Sequence, residues 1–151
     1  MIYDRTEADV LSAKQIIENK VKFFLDLTEQ ELETLSRGTI TTETLNRIEE
    51  KQKELHGLFK DALYFGEDMD SKTWEENKEI FKDADMEIIV KNGEILRKMF
   101  FVYSSTPQKA NVNYTYQNLN DIERLLFDLY SMYSFMVDNL KECDTFWCGE
   151  R

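Results

Sequence analysis

The sequence is poor in the residues that tight turns, histidine chemistry and disulfide frameworks require. Its 151 residues include one proline, five glycines, one histidine and two cysteines. So few turn formers argue against a sandwich or barrel of about eight or more short strands, because each tight turn needs such residues. With His56 alone, a Ser-His-Asp, Cys-His or multi-histidine metal site has at most one imidazole to draw on.

Long apolar runs and positive charge are also scarce. No stretch approaches the roughly 18 apolar residues of a membrane span, and the opening MIYDRTEADV lacks the basic patch and apolar run of a signal peptide. We therefore expect a chain made in soluble form. Lysine and arginine number 19 against 30 aspartates and glutamates, a net charge of -11. This balance argues against nucleic-acid and anionic-membrane partners.

The residues that are present favour one all-α domain over residues 1–151. Hydrophobic residues make up 42% of the chain and aromatic residues 13%, which is enough core material for a folded domain of this length. Caps and 3.6-residue apolar periods predict four main helices and a short one. They run from about Thr6 to Leu25, from the Thr28 capping box to Gly38, from Thr41 or Thr42 to Phe65, from about Asp83 to Tyr103, and from about Asn118 to Leu140.

The order of these helices indicates a helical bundle of two related antiparallel hairpins. Residues 1–65 form the first hairpin, residues 66–82 an acidic linker, and residues 83–151 the second hairpin with a C-terminal tail. Residues 66–90 carry nine acidic and three basic residues, so six of the eleven excess negative charges belong to this middle region. Gly93 lies inside a predicted helix, which suggests a close helix contact there.

A short internal repeat marks the start of the two longest predicted helices. Leu45-Asn46-Arg47-Ile48-Glu49 recurs 74 residues later as Leu119-Asn120-Asp121-Ile122-Glu123. In each copy the leucine and isoleucine lie three apart and are expected to point into the hairpin. Each asparagine is expected to bind backbone groups of the incoming loop, which is a structural role.

These motifs also carry a resemblance to a known family. The chain resembles small helical segments of tail-associated structural proteins from bacteriophages of Gram-positive bacteria. The similarity covers nearly the whole chain and rests on structural motifs: the opening IYDRTEADV, Leu27-Thr28-Glu29, Arg37-Gly38, both LN-x-IE copies, Trp74, the Pro107 connection with Tyr114 and Tyr116, and the ending from Cys143 to Glu150.

The resemblance implies a non-enzymatic virion protein of a tail, baseplate or fibre region. It implies assembly or adaptor contacts with copies of itself and with other virion proteins, after synthesis in the bacterial cytoplasm. No catalytic residue, cofactor, metal or small-molecule substrate is expected, and no P-loop, dinucleotide-binding or nucleophile-elbow string occurs. The alternative is a soluble acidic helical protein that contacts a host factor.

The aromatic residues near the C-terminus are the candidate interface residues. Tyr114 and Tyr116 lie in the long connection, and Phe146 and Trp147 lie in the tail, where they either fold back on the bundle or contact a neighbouring subunit. Cys143 and Cys148 lack the second ligand pair of a zinc site, and both free thiols and a disulfide are open to them.

Overall fold

The computed structural model describes residues 1–19, 26–63, 66–76 and 78–146, with the side chains of residue 63 and of residues 140–146 left out. Within these ranges the chain forms five α-helices and no strand, which confirms the all-α class. The helices are α1 (Glu7–Asn19), α2 (Glu29–Gly38), α3 (Thr42–Leu63), α4 (Asp83–Met99) and α5 (Tyr116–Phe146).

Short polar side chains begin several helices where the sequence predicts. The Thr28 hydroxyl accepts a hydrogen bond from the Glu31 amide at 3.2 Å, and the Glu31 carboxylate accepts one from the Thr28 amide at 3.5 Å. This confirms the predicted capping box of α2. At α1 the Thr6 amide donates to the Asp9 carboxylate at 2.7 Å, so an acid lies at the positive end of the helix.

Three helix ends differ from the prediction. α4 ends at Met99 and not at Tyr103, because Phe100 has an extended backbone (φ -144°, ψ 173°) and its ring packs into the core. α5 begins at Tyr116, two residues early, and continues to Phe146, since no proline or glycine interrupts it before Gly149. The predicted end of the first helix falls in residues 20–25, which lie outside the described residues, as does Phe65.

The hydrophobic core lies among α3, α4 and α5. Phe59 on α3 stacks on Phe100 with ring centroids 4.6 Å apart, and Tyr133 on α5 packs against both rings. α1 packs chiefly against α2, and α3, α4 and α5 pack on one another. The fully buried core side chains are Ile48, Leu55, Phe59, Met86, Ile89, Leu96, Leu126 and Leu129.

Two glycines lie where helices meet, and only one of them requires a close approach. At Gly38, the last residue of α2, an added Cβ would lie 2.2 Å from the Asp9 carbonyl oxygen of α1, so no larger residue fits without displacing a helix. At Gly93 an added Cβ would lie 3.4 Å from Leu125, which places α5 against α4 at the predicted position. Glycine therefore sets the separation of α1 and α2, whereas Gly93 leaves room for ordinary contact.

Two segments without helix precede α1 and α4, and we call them the first leader (residues 1–6) and the second leader (residues 66–82). The second leader coincides with the predicted acidic linker, and its described residues contain no helix. It is nevertheless fixed to the core, because Trp74 is buried and because side chains on α3 and α4 bind its backbone. His56 contacts the Glu67 carbonyl at 2.7 Å, and Asn92 donates to the Asp70 carbonyl at 2.6 Å.

Candidate interaction site

The two longest helices begin with the same arrangement of side chains. The Thr41 hydroxyl accepts from the Thr44 amide before α3, and the Thr115 hydroxyl accepts from the Asn118 amide before α5, both at 3.2 Å. The two threonines are 74 residues apart, as are the two LN-x-IE copies that follow them. The leucine and isoleucine of each copy are buried in the core, as predicted: Leu45, Ile48, Leu119 and Ile122.

On α3, Asn46 and Glu49 bind the second leader, and we call this pair the α3 clamp. The Asn46 side-chain amide donates to the Trp74 carbonyl at 3.0 Å and accepts from the Trp74 amide at 2.7 Å. The Glu49 carboxylate accepts from the Trp74 indole Nε1 at 2.8 Å and also from the Lys72 amide. The clamp thus binds both the backbone and the side chain of one anchor residue, Trp74.

On α5, Asn120 and Glu123 bind the first leader in the same manner, and we call this pair the α5 clamp. Asn120 accepts from the Arg5 amide and donates to the Arg5 carbonyl, each at 3.0 Å. Glu123 accepts from the Arg5 guanidinium Nη2 at 3.2 Å and from the Ile2 amide. Arg5 is therefore the anchor residue of the first leader.

The α5 clamp holds one carboxylate between two guanidinium groups. The side chains of Arg5 and Glu123 are both fully buried, and Arg47 of α3 reaches the same carboxylate at 2.7 Å. Burial lowers the pKa of the Arg5 guanidinium, and the ion pair with Glu123 opposes that shift. Because removing one partner of a buried ion pair is strongly destabilising, Arg5 and Glu123 are expected to depend on one another.

The two clamps exchange leaders between the two halves of the chain. The α3 clamp of the first half binds the leader that precedes α4, and the α5 clamp of the second half binds the leader that precedes α1. The asparagines do bind loop backbone, as the sequence analysis proposed. Their partners, however, are these distant leaders and not the connections that immediately precede α3 and α5.

Neither anchor was predicted from the sequence. Trp74 and Arg5 share no side-chain type, and their leaders share no sequence, so the repeat alone does not reveal them. What they have in common is a side-chain N–H that a carboxylate can accept. The 74-residue offset between Thr41 and Thr115 extends the repeat beyond LN-x-IE, but it identifies neither anchor.

A groove of about 740 Å³ separates the α1–α2 pair from the start of α5. Tyr114 and Tyr116, two of the predicted interface residues, both line it. The Tyr114 hydroxyl donates to the Asp83 carboxylate, and this hydrogen bond raises the pKa of Tyr114 to about 12. The other lining residues are Glu7, Val10, Arg37, Gly38, Thr39, Ile40, Phe81, Thr115, Gln117 and Leu119.

An aromatic row joins this groove to the α3 clamp. The Phe81 ring meets Trp74 at 5.4 Å and Tyr114 at 5.8 Å, both edge to face. On the opposite wall Arg37 pairs with Asp9 at 3.2 Å and with Asp4 at 3.3 Å. The hydrogen bond from Arg37 lowers the pKa of Asp9. The groove therefore has an aromatic wall facing a wall where charges are already paired.

Exposed aromatic side chains lie along α5. Phe127, Tyr130 and Phe135 are 41%, 42% and 61% exposed, and large apolar groups at such positions are typical of protein contact surfaces. Phe146 and Trp147 are the remaining predicted interface residues. Phe146 is the last residue of α5 and its side chain is outside the description, while Trp147 lies outside the described residues.

In the part of the chain that the structure describes, histidine, cysteine, aspartate and glutamate side chains form no group of three that could hold a metal ion. The helices of the same part include none with the length and apolar character needed to cross a membrane. No protein family, curated protein or solved structure matches this chain.

Proposed function

We propose that this chain is a non-enzymatic structural protein of a bacteriophage tail, baseplate or fibre region. It acts as an assembly or adaptor component, through contacts between its helices and copies of itself or other virion proteins. The observation that supports this best is the exposure of three aromatic side chains, Phe127, Tyr130 and Phe135, on a helix that the α5 clamp connects to the first leader. The phage context comes from the sequence resemblance.

The energetics of the α5 surface favour protein contacts. Aromatic side chains contribute strongly to protein interfaces because they bury large areas and lose little conformational entropy. Among the residues of α5 whose side chains the structure describes, Leu129 is the last fully buried one, whereas Phe135 beyond it is mostly exposed. A neighbouring subunit that covered this part of α5 would remove apolar area from water while the fold of this chain stayed unchanged. The proposal needs no nucleic acid, membrane or small-molecule substrate.

Particle composition tests this proposal. The chain should be detected by mass spectrometry in gradient-purified tailed particles, in a constant ratio to known tail proteins. A Tyr130→Ser/Phe135→Ser variant should fold normally and be lost from the particles. Ile80→Ser is a matched control, because Ile80 is also exposed but lies on the second leader. Recovery of the chain only from the soluble lysate would contradict the proposal.

A second candidate function is an acidic binding protein directed at a host factor. The observation that favours it is the second leader, where acidic side chains face solvent: Glu67, Asp68, Asp70, Glu75, Glu76 and Glu79. Such a surface can imitate the charge of a nucleic acid. The same particle experiment discriminates between the two, because a host-directed protein would stay in the soluble fraction.

A further inference from the structure

We propose that the α5 clamp can bind the first leader of a second copy of this chain, so that copies exchange their α1–α2 units. The α1–α2 unit comprises the first leader with α1 and α2. In the exchanged state Arg5 of one copy pairs with Glu123 of the next, and each clamp is completed by its neighbour. This inference rests on the proposed function, since it describes how copies would associate.

The α1–α2 unit packs mainly on itself and has few contacts with the other described helices. α1 packs chiefly on α2, while α3, α4 and α5 pack on one another. The groove of about 740 Å³ lies between the unit and the core, so the packing there is incomplete. Among the described residues, the unit is therefore joined to the rest of the protein mainly by the first leader and by the short connection to α3, which comprises Thr39, Ile40 and Thr41.

The clamp would keep its carboxylate in place if the α1–α2 unit moved away. Arg47 of α3 binds Glu123 of α5 at 2.7 Å, and neither residue belongs to the α1–α2 unit. If the unit moved away, Arg47 would still hold the carboxylate in place. Asn120 would lose both of its partners, so the vacant clamp would retain affinity for any leader that presents an arginine at the anchor position.

The repeat also favours binding of a leader from the next copy. Within the chain, the α3 clamp binds the leader of the following half. The α5 clamp binds the first leader of its own chain, because no further half follows it in the described fold. In an assembly, the leader that follows would be the first leader of the next copy. Both arrangements form the same hydrogen bonds, so they differ mainly in the connection and in the entropy of association.

A neighbouring surface supports a second copy as the partner. Tyr3 of the leader packs on Phe127 with ring centroids 5.1 Å apart, and the Arg124 guanidinium lies 4.9 Å from the Tyr3 ring. Phe127 and Tyr130 remain partly exposed beside this contact. An incoming copy that delivers its leader would therefore meet an apolar surface continuous with the clamp.

Thiol cross-linking between copies tests the exchange. Cys143 and Cys148 are first replaced by serine. A tagged copy carrying Tyr3→Cys is then mixed with an untagged copy carrying Phe127→Cys, and a short bismaleimide is added after a cycle of mild denaturation and refolding. We expect a tagged–untagged dimer several-fold above the control pair, in which Lys53→Cys on an exposed part of α3 replaces Phe127→Cys.

Two outcomes would overturn the proposal. One is a mixed dimer no more abundant than that of the control pair. The other is cross-linking only within a single chain that carries both Tyr3→Cys and Phe127→Cys. As a second measurement, inserting a flexible Gly-Ser segment after Ile40 should lower the dimer fraction in analytical ultracentrifugation, since longer hinges favour closure within one chain. An unchanged fraction would also count against exchange.

These experiments use purified protein, so their failure is distinguishable from failure of the proposed function. A chain found in particles without exchange would retain the proposed function and lose only this inference. Exchange without incorporation into particles would do the reverse.

Discussion

Replacing the clamp asparagines by alanine should destabilise the fold by a predictable amount. Asn46→Ala and Asn120→Ala each remove two hydrogen bonds to the backbone of one anchor residue. At about 0.5–1.5 kcal/mol for each net hydrogen bond, we expect a loss of about 1–3 kcal/mol per variant. In a domain of this length, 1 kcal/mol lowers the melting temperature by about 2–4 °C, so each variant should melt about 2–12 °C lower.

The control corrects for the change in helix propensity. Alanine favours helices over asparagine by up to about 0.7 kcal/mol, which partly masks the loss. Asn139→Ala makes the same replacement at an exposed position of α5 and supplies this correction. The double variant Asn46→Ala/Asn120→Ala should lose about the sum of the single losses, because the two clamps hold different leaders.

Thermal melts and urea titrations followed by circular dichroism give these free energies. Melting temperatures of both variants equal to or above that of Asn139→Ala would refute the reasoning. A loss for Asn46→Ala without one for Asn120→Ala would refute the equivalence of the clamps.

Other substitutions test separate features by the same urea titrations and by absorbance. Gly38→Ala should destabilise by about 1–3 kcal/mol, because its methyl group would overlap the α1 backbone. Gly57→Ala should stabilise by about 1 kcal/mol, because the added Cβ meets nothing within 4 Å on this helix; a loss would contradict that. Trp74→Phe keeps a ring but removes the indole donor to Glu49, and should cost about 1.5–3 kcal/mol; an unchanged midpoint would mean that this bond is not formed. Tyr114 should ionise near pH 12, measured as the difference in ultraviolet titration between wild type and Tyr114→Phe, and ionisation near pH 10 would contradict this. Because the pKa of Tyr114 is raised from 10.0, its hydrogen bond to Asp83 stabilises the fold below pH 10, and this stabilisation is lost as the pH rises towards 12.

Local sequence signals predicted most of the helices. The Thr28 capping box, the threonine before α3 and the apolar periods depend on neighbouring residues only, so they can be recognised without a structure. The ends of α4 and α5 were less accurate. Tertiary packing of Phe100 ended α4 early, and an apolar period does not show how far a helix continues once burial ends.

The clamps were only half predictable. LN-x-IE identified Asn46 and Asn120 as residues that bind backbone, but their partners are 28 and 115 residues away in the sequence. Such partners depend on how the helices pack. The anchors Trp74 and Arg5 are also different residue types, so the sequence repeat does not include them. The acidic composition of residues 66–82 can be read from the sequence, but the burial of Trp74, which fixes this segment to α3, depends on the tertiary packing.

Amide hydrogen exchange at the two anchors tests the central claim most directly. The amides of Trp74 and Arg5 each donate to a clamp asparagine, at 2.7 and 3.0 Å, and both should exchange slowly in the wild-type chain. Asn46→Ala should speed exchange at Trp74 and leave Arg5 protected, and Asn120→Ala should do the opposite. Exchange of both amides at the rates of a free peptide in the wild-type chain would show that the two helices do not hold the leaders.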